Sequence, residues 1–432
     1  MKKVLIISYY WPPAGGSAVQ RWVQMSAYFS DYGWSPVVYT PENAEYPLID
    51  AAMEKKVDPR IKVIRQKIWE PYSFYKRFTG MKKEERLAAG LLSEKKIGWK
   101  EKFGRWVRGN FFVPDARVSW VKPSVRYLQA WLKENPVDAI ISTGPPHSMH
   151  LIAMQLGITM HIPWVADFRD PWTTMDYYSE MYIMGPADRK HRRMERAVIT
   201  GASRVVVVGN YMRKEFEDMY GRRADVITNG FDKISTSSTP DKEFTLVHVG
   251  SLLKNRNPVV FWSVIAELCK ERPDFAARLK IRLVGKIDNA AMVSIQASGL
   301  EKYVELISFV THAEALSYQE NAQVLLLLLD DIPNAGFVLS GKFFEYLAAK
   351  RPILCIGPTD GDAAHILREA NAGTVVPFGD AAALRKTILD YFDAYTNGRL
   401  QVNSSGIEKY SRKVLAGTYC DLLNEITHSR NA

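Results

Sequence analysis

The chain has 432 residues, too many for one hydrophobic core and suited to two domains of about 200 residues each. Hydrophobic residues make up 47% and charged residues 24%, the balance of a folded globular protein rather than a disordered one. The net charge of +10 is concentrated: Lys55 to Lys133 carries 21 Lys and Arg against 7 Asp and Glu, which leaves the rest slightly acidic. The three cysteines, Cys269, Cys355 and Cys420, are far apart and form no Cys-x-x-Cys pair. That spacing argues against a disulfide framework or a zinc site and for a reducing cytoplasm.

Val4-Leu5-Ile6-Ile7 follows two lysines like the start of an export signal, but the run stops at Ser8-Tyr9-Tyr10-Trp11-Pro12-Pro13. An export signal needs about 7–15 apolar residues, so Val4–Ser8 is predicted to be a buried strand. No run approaches the roughly 18 apolar residues of a membrane span. A helix is predicted from about Ala18 to Tyr32, then strands at Ser35–Thr40 and Lys62–Arg65. Ile68 to about Phe112 reads as irregular and basic. A helix follows near Lys122–Asn135, with strands at Ala139–Ser142, Trp164–Ala166, Val205–Val208 and Asp225–Thr228.

The composition turns polar between Lys233 and Lys242, a natural linker. A second series of strands then runs through Thr245–Gly250, Lys280–Val284, Tyr303–Ile307, Val324–Leu329, Pro352–Ile356 and Gly373–Val376. Long helical sequence covers about Ala381 to His428. Short β-branched runs separated by helices describe parallel sheets covered on both faces. The expected fold class is α/β: two doubly wound Rossmann-like domains facing across a cleft. The first spans 1–232 with a basic aromatic insertion at about 55–133, the linker is 233–243, and the second domain is 244–405. A C-terminal helix over 406–432 is predicted to pack back on the first domain.

Ligands of doubly wound sheets bind outside the carboxyl ends of the strands, so the loops after strands are the candidate sites. Gly15-Gly16, before a helix, is either an anion-binding turn or a plain tight turn; it matches neither Gly-x-Gly-x-x-Gly nor a P-loop. His147 lies in a loop stiffened by Pro145 and Pro146, placed to bond a sugar hydroxyl or exchange a proton; His150 is either a partner or a packed helix residue. Asp167, Arg169 and Asp170 form either an acceptor-binding group or a local cap and ion pair. Lys254 and Arg256, after the first strand of the second domain, suit a diphosphate. Ser340-Gly341-Lys342 opens a helix whose N–H groups suit a phosphate, and Glu345 lies one turn in, able to bridge two ribose hydroxyls.

Taken in order, these loops resemble the retaining glycosyltransferases of family 4, which have the GT-B fold. The resemblance rests on Gly15-Gly16, Ile227-Thr228-Asn229-Gly230-Phe231-Asp232, Val249-Gly250 with Lys254 and Arg256, and the run from Lys342 to Pro352. It implies a nucleoside-diphosphate sugar donor bound by Gly15, Gly16, Lys254, Arg256, Ser340, Gly341, Lys342 and Glu345. Catalytic roles fall on His147, Arg256 and Lys342, with no metal and no cofactor. Acceptor contacts fall on His147, Asp167, Arg169 and Asp170. Glu345 matches the second glutamate of the family's Glu-x7-Glu motif, whereas the first falls on Phe337; Asn334 or the amides of Phe337 to Leu339 are the candidate substitutes.

The implied acceptor is a glycan or a lipid-linked or cell-surface polysaccharide precursor. The basic aromatic stretch, with Trp69, Trp99, Phe103, Trp106 and Phe111 among its rings, then suits the anionic cytoplasmic face of a membrane, in a cytoplasmic protein held there peripherally. No nucleic-acid motif accompanies it. Two other functions share the expected fold: a nucleotide-sugar 2-epimerase and a non-catalytic nucleotide-sugar-binding protein.

Overall fold

The computed structural model describes residues 1–70, 98–235, 239–308 and 310–428. Tyr72, Phe74, Tyr75 and Phe78 of the basic stretch lie outside the described residues, as does the Thr236-Ser237-Ser238 part of the expected linker.

The chain forms two compact units, Met1–Thr228 with Arg412–Ala432, and Asn229–Ser411. In the first, β1 (Lys2–Ile7), β2 (Trp34–Pro41), β3 (Lys62–Gln66), β4 (Ala139–Gly144), β5 (Trp164–Phe168), β6 (Arg204–Val207) and β7 (Asp225–Val226) pair in the order β3-β2-β1-β4-β5-β6-β7. Every pairing is parallel. Val4, Leu5, Ile6 and Ile7 have no exposed surface because β1 is central and covered on both faces. That is why its sequence is a continuous apolar run instead of an alternating one.

The second unit contains β8 (Phe244–Val249), β9 (Leu279–Val284), β10 (Val304–Ile307), β11 (Val324–Leu328), β12 (Ile353–Ile356) and β13 (Gly373–Val376), in the parallel order β10-β9-β8-β11-β12-β13. Alternate residues of β11 feed two cores: Leu325 and Leu327 join Phe343, Phe344 and Leu347 on one face, while Val324, Leu326 and Leu328 join Phe261, Trp262 and Phe392 on the other.

Two expectations change. The segment taken as irregular up to Phe112 contains the helix Trp99–Phe111. The helical sequence from Ala381 to His428 is two helices, Ala381–Thr396 and Arg412–His428, separated by left-handed turns at Gly398 (φ 63°) and Gly406 (φ 66°). The unit boundaries fall at Thr228 and Ser411. Arg412–His428 lies on helix Ser17–Tyr28: the Tyr419 ring meets Trp22 edge-on at 5.5 Å, and Lys2 Nζ donates to Asn424 Oδ1 and Thr427 Oγ1 at 3.2 and 2.9 Å.

Candidate functional site

In the second unit the loops after β8, β9 and β11 meet the start of helix Gly341–Ala348. Gly250 leaves β8 at φ 119° and Gly285 leaves β9 at φ 125°; a Cβ on Gly285 would stand 2.7 Å from the Gly250 carbonyl oxygen. Only glycine allows this approach. A Cβ on Gly250 would stand 3.4 Å from Lys342 Nζ, so the lysine ammonium lies directly over the β8 turn.

Lys342 Nζ is enclosed and has no hydrogen-bond partner among the described residues. Burial, reinforced by the Arg256 charge and opposed by Asp330 and Glu345, lowers its pKa from 10.5 to about 7. Arg256, in the short turn Lys254–Arg256, donates to Asp330 and, at 3.1 Å, to the Ser251 carbonyl. Lys254 is exposed. Ser340 makes no side-chain cap on the helix Gly341–Ala348; the Phe343 N–H turns back to the Ser340 carbonyl at 3.1 Å, and the Gly341 and Lys342 N–H groups are the ones that suit an anion. His248 is buried beside Lys342, bonded through Nδ1 to the Leu326 carbonyl at 3.0 Å, and burial holds it well below its usual pKa. A cation seeking an anion thus stands in a low-dielectric pocket, where an ionic contact is strongest.

Glu345 is one turn beyond Lys342. His312 Nε2 donates to its Oε1 at 2.9 Å and Gln319 Nε2 to its Oε2 at 3.2 Å. Phe337, in the turn Ala335–Phe337, is 8% exposed and joins the apolar packing instead of supplying a carboxylate. An apolar cavity of about 230 Å³ opens on another side of Arg256, lined by Pro258, Phe261, Leu328, Ile356 and Phe378; it includes neither Lys342 nor Glu345.

The first unit treats its candidates differently. Gly15 donates its N–H to the Leu48 carbonyl at 3.0 Å, while Gly16 at φ 99° faces open space before helix Ser17–Tyr28. Of the two, Gly16 is the one left facing outward. His147 is 3% exposed, stacked on Trp172 at 4.8 Å with the rings 3° from parallel, and neither ring nitrogen has a hydrogen-bond partner among the described residues. Burial lowers its pKa to about 3, so it stays neutral. His150 is buried as well, bonded to Ser142 at 2.8 Å and stacked on Phe168 at 4.4 Å. Both rings crowd Gly144, where a Cβ would stand 2.5 Å from His150 Nε2. Both rings pack inside this loop, and of the two only His150 is hydrogen-bonded among the described residues.

Asp167 differs from its expected place at an open site. It is fully buried in an ion pair with Arg21, 3.3 Å away, and Arg21 also donates to the carbonyls of Ile227 and Thr228. An unaccompanied charge there would be expensive, so Asp167 is structural. Arg169 is half-buried, donating to Thr143 Oγ1 at 3.2 Å and to the Pro145 carbonyl, with Tyr10 beneath it at 5.9 Å. Asp170 is half-buried beside it, its pKa raised by burial. Of the expected acceptor group, Arg169 and Asp170 alone remain partly open.

Family models match most of the chain: Glycosyltransferase Family 4 over residues 18–233, and Glycosyl transferases group 1 over residues 243–393. The chain belongs to glycosyltransferase family 4. Its fold is that of the GT-B transferases. The transferase resembles sucrose-phosphate synthase of Thermosynechococcus elongatus at 13% identity and TM-score 0.60, over 100% of this chain and 98% of that one. It resembles a variant of S. aureus TarM, solved with UDP, at 12% identity and TM-score 0.59, over 98% and 100%. Anabaena HepE, solved with UDP-glucose, matches at 13% identity and TM-score 0.55, over 99% and 98%. Against curated proteins the sequence has no significant match.

The residues that sequence reasoning missed in the transferase are His248, His312, Gln319 and Asp330. Each acts on Lys342, Arg256 or Glu345 from a different segment, and no local motif marks them. Gly250 followed by Gly285, each closing a strand, was the signal for the close turn beneath Lys342.

Proposed function

We propose that this transferase moves a sugar from a nucleoside-diphosphate sugar to an acceptor hydroxyl with retention of anomeric configuration. The acceptor belongs to a lipid-linked or cell-surface polysaccharide precursor. The observation that carries the reading is the enclosed, unpartnered ammonium of Lys342, set over the Gly250 turn beside Arg256 at the head of helix Gly341–Ala348. A diphosphate supplies the anion this group lacks. As the bond to the sugar breaks, negative charge grows on the leaving phosphate, and Lys342, Arg256 and the helix N–H groups take it without a metal ion. Lys254 adds an outer cation. Glu345 accepts the ribose hydroxyls. Arg169 and Asp170 bind acceptor hydroxyls. No cofactor takes part.

The helix Trp99–Phe111 supports a membrane-bound acceptor. It turns Trp99, Phe103 and Phe111 outward, 70%, 44% and 67% exposed, between Lys102 and Arg108. We place this surface on anionic lipid at the cytoplasmic face.

The test is a thermal-shift screen with UDP, GDP, ADP and their sugars, followed by transfer assays with the donor that binds. A stabilising nucleotide-sugar, consumed only when acceptor is present, is the expected outcome. Conversion of the donor without acceptor would replace this reading with an epimerase. No stabilisation by any nucleotide would overturn it.

A further inference from the structure

We infer that His312 is a positioning residue of the nucleotide site, holding the Glu345 carboxylate in the orientation that accepts the ribose hydroxyls. The inference rests on the ribose role proposed for Glu345. Helix His312–Asn321 grips the carboxylate at both oxygens, His312 on Oε1 at 2.9 Å and Gln319 on Oε2 at 3.2 Å. An ionised carboxylate only accepts, so His312 Nε2 carries the proton. Each carboxylate oxygen has more than one acceptor direction, so a protein donor and a ribose hydroxyl can share it.

The gripping helix is itself fixed. Thr311 and Glu314 form a reciprocal capping box, which engages the Glu314 carboxylate with Thr311 and sets the position of His312, the next residue after the cap. Gln319 lies two turns further on and is 1% exposed, so its end of the grip is buried packing. The His312 side chain is 38% exposed, so its end of the grip faces solvent. Glu345 shares helix Gly341–Ala348 with Lys342, three residues apart and therefore on one face. That places the ribose acceptor and the phosphate cation on one rigid element. A free glutamate would lose its rotamer freedom only when the nucleotide binds; held in advance, it does not add that cost to binding.

The probes are UDP, GDP and ADP, each measured by calorimetry against its 2′-deoxy counterpart. Wild type is expected to prefer the ribonucleotide. In His312→Ala that preference should fall about five- to tenfold, with deoxynucleotide affinity and ligand-free melting temperature unchanged. His312→Gln, which restores an N–H donor, should recover much of it. Full preference in His312→Ala, with Glu345→Ala losing it, overturns the role of His312 and leaves the ribose site standing. Preference retained in Glu345→Ala as well removes the ribose site and this inference with it.

Discussion

At the scale of single residues, Lys342 separates stability from function. Its pKa near 7 lies below the unfolded value of 10.5, so between those limits the unfolded chain holds more protons. Ligand-free stability should therefore rise with pH from about 7 to 10.5 and be flat below 7 as far as this group is concerned. A bound diphosphate favours the ammonium and draws the proton back. Binding of a nucleotide-sugar, whose own phosphates do not titrate in this range, should take up protons above pH 7 and weaken as pH rises. Calorimetry in buffers of different ionisation enthalpy measures the uptake. Lys342→Met keeps the stem and removes the charge. It should stabilise the ligand-free protein by about 1 kcal/mol or more while lowering turnover roughly 100-fold or further. A variant less stable than wild type, or one with near-normal turnover, would exclude Lys342 as the phosphate cation.

At the scale of elements, helix Trp99–Phe111 shows what a local pattern hides. Trp99, Phe103, Val107 and Phe111 recur every four residues, which is a helical stripe, yet the segment reads as irregular because Gly104 and Gly109 weaken its propensity. The glycines lie on the packed side, both buried. A Cβ on Gly109 would stand 2.9 Å from Met181 Cβ and its carbonyl oxygen. Asn110 ties the helix down by donating to the Tyr182 carbonyl at 3.2 Å and accepting from the Met184 N–H at 2.7 Å. The small face packs and the aromatic face turns out. Replacing Trp99 and Phe103 together by serine should abolish flotation with anionic vesicles at low salt and leave the melting temperature nearly unchanged, since both rings are exposed in the free protein. Undiminished flotation would detach this helix from the membrane. Absence of flotation by wild type would remove the membrane reading itself.

At the scale of the whole molecule, the C-terminal helix belongs to the N-terminal core. Leu415, Ala416, Tyr419, Cys420 and Leu423 join the same buried cluster as Trp22 and Phe29, and each large side chain contributes about 1.5–3 kcal/mol of burial. Their sum is comparable to the whole stability of a domain, about 5–15 kcal/mol. Truncation after Ser411 should strip hydrogen-exchange protection from Met1–Thr228 and leave it in Asn229–Ser411. Equal loss in both units, or none in the first, would contradict that assignment.

The sequence alone determined the thirteen strands of the described residues, the division into two α/β units and the family, because buried parallel strands and strand-end glycines are written in contiguous residues. Lys342, Arg256 and Glu345 were legible for the same reason, each standing in a local motif. Only the tertiary structure decided what each charged or aromatic candidate packs against. His147 follows β4 and Asp167 lies within β5, where Trp172 stacks on one and Arg21 pairs with the other. Covering side chains come from segments distant in sequence: Trp172 is 25 residues beyond His147 and Arg21 is 146 before Asp167. The grip of His312 and Gln319 on Glu345 spans 33 and 26 residues. Spacing along a chain fixes which face of an element a residue occupies; only packing between elements fixes whether that face meets solvent, a ligand or another side chain.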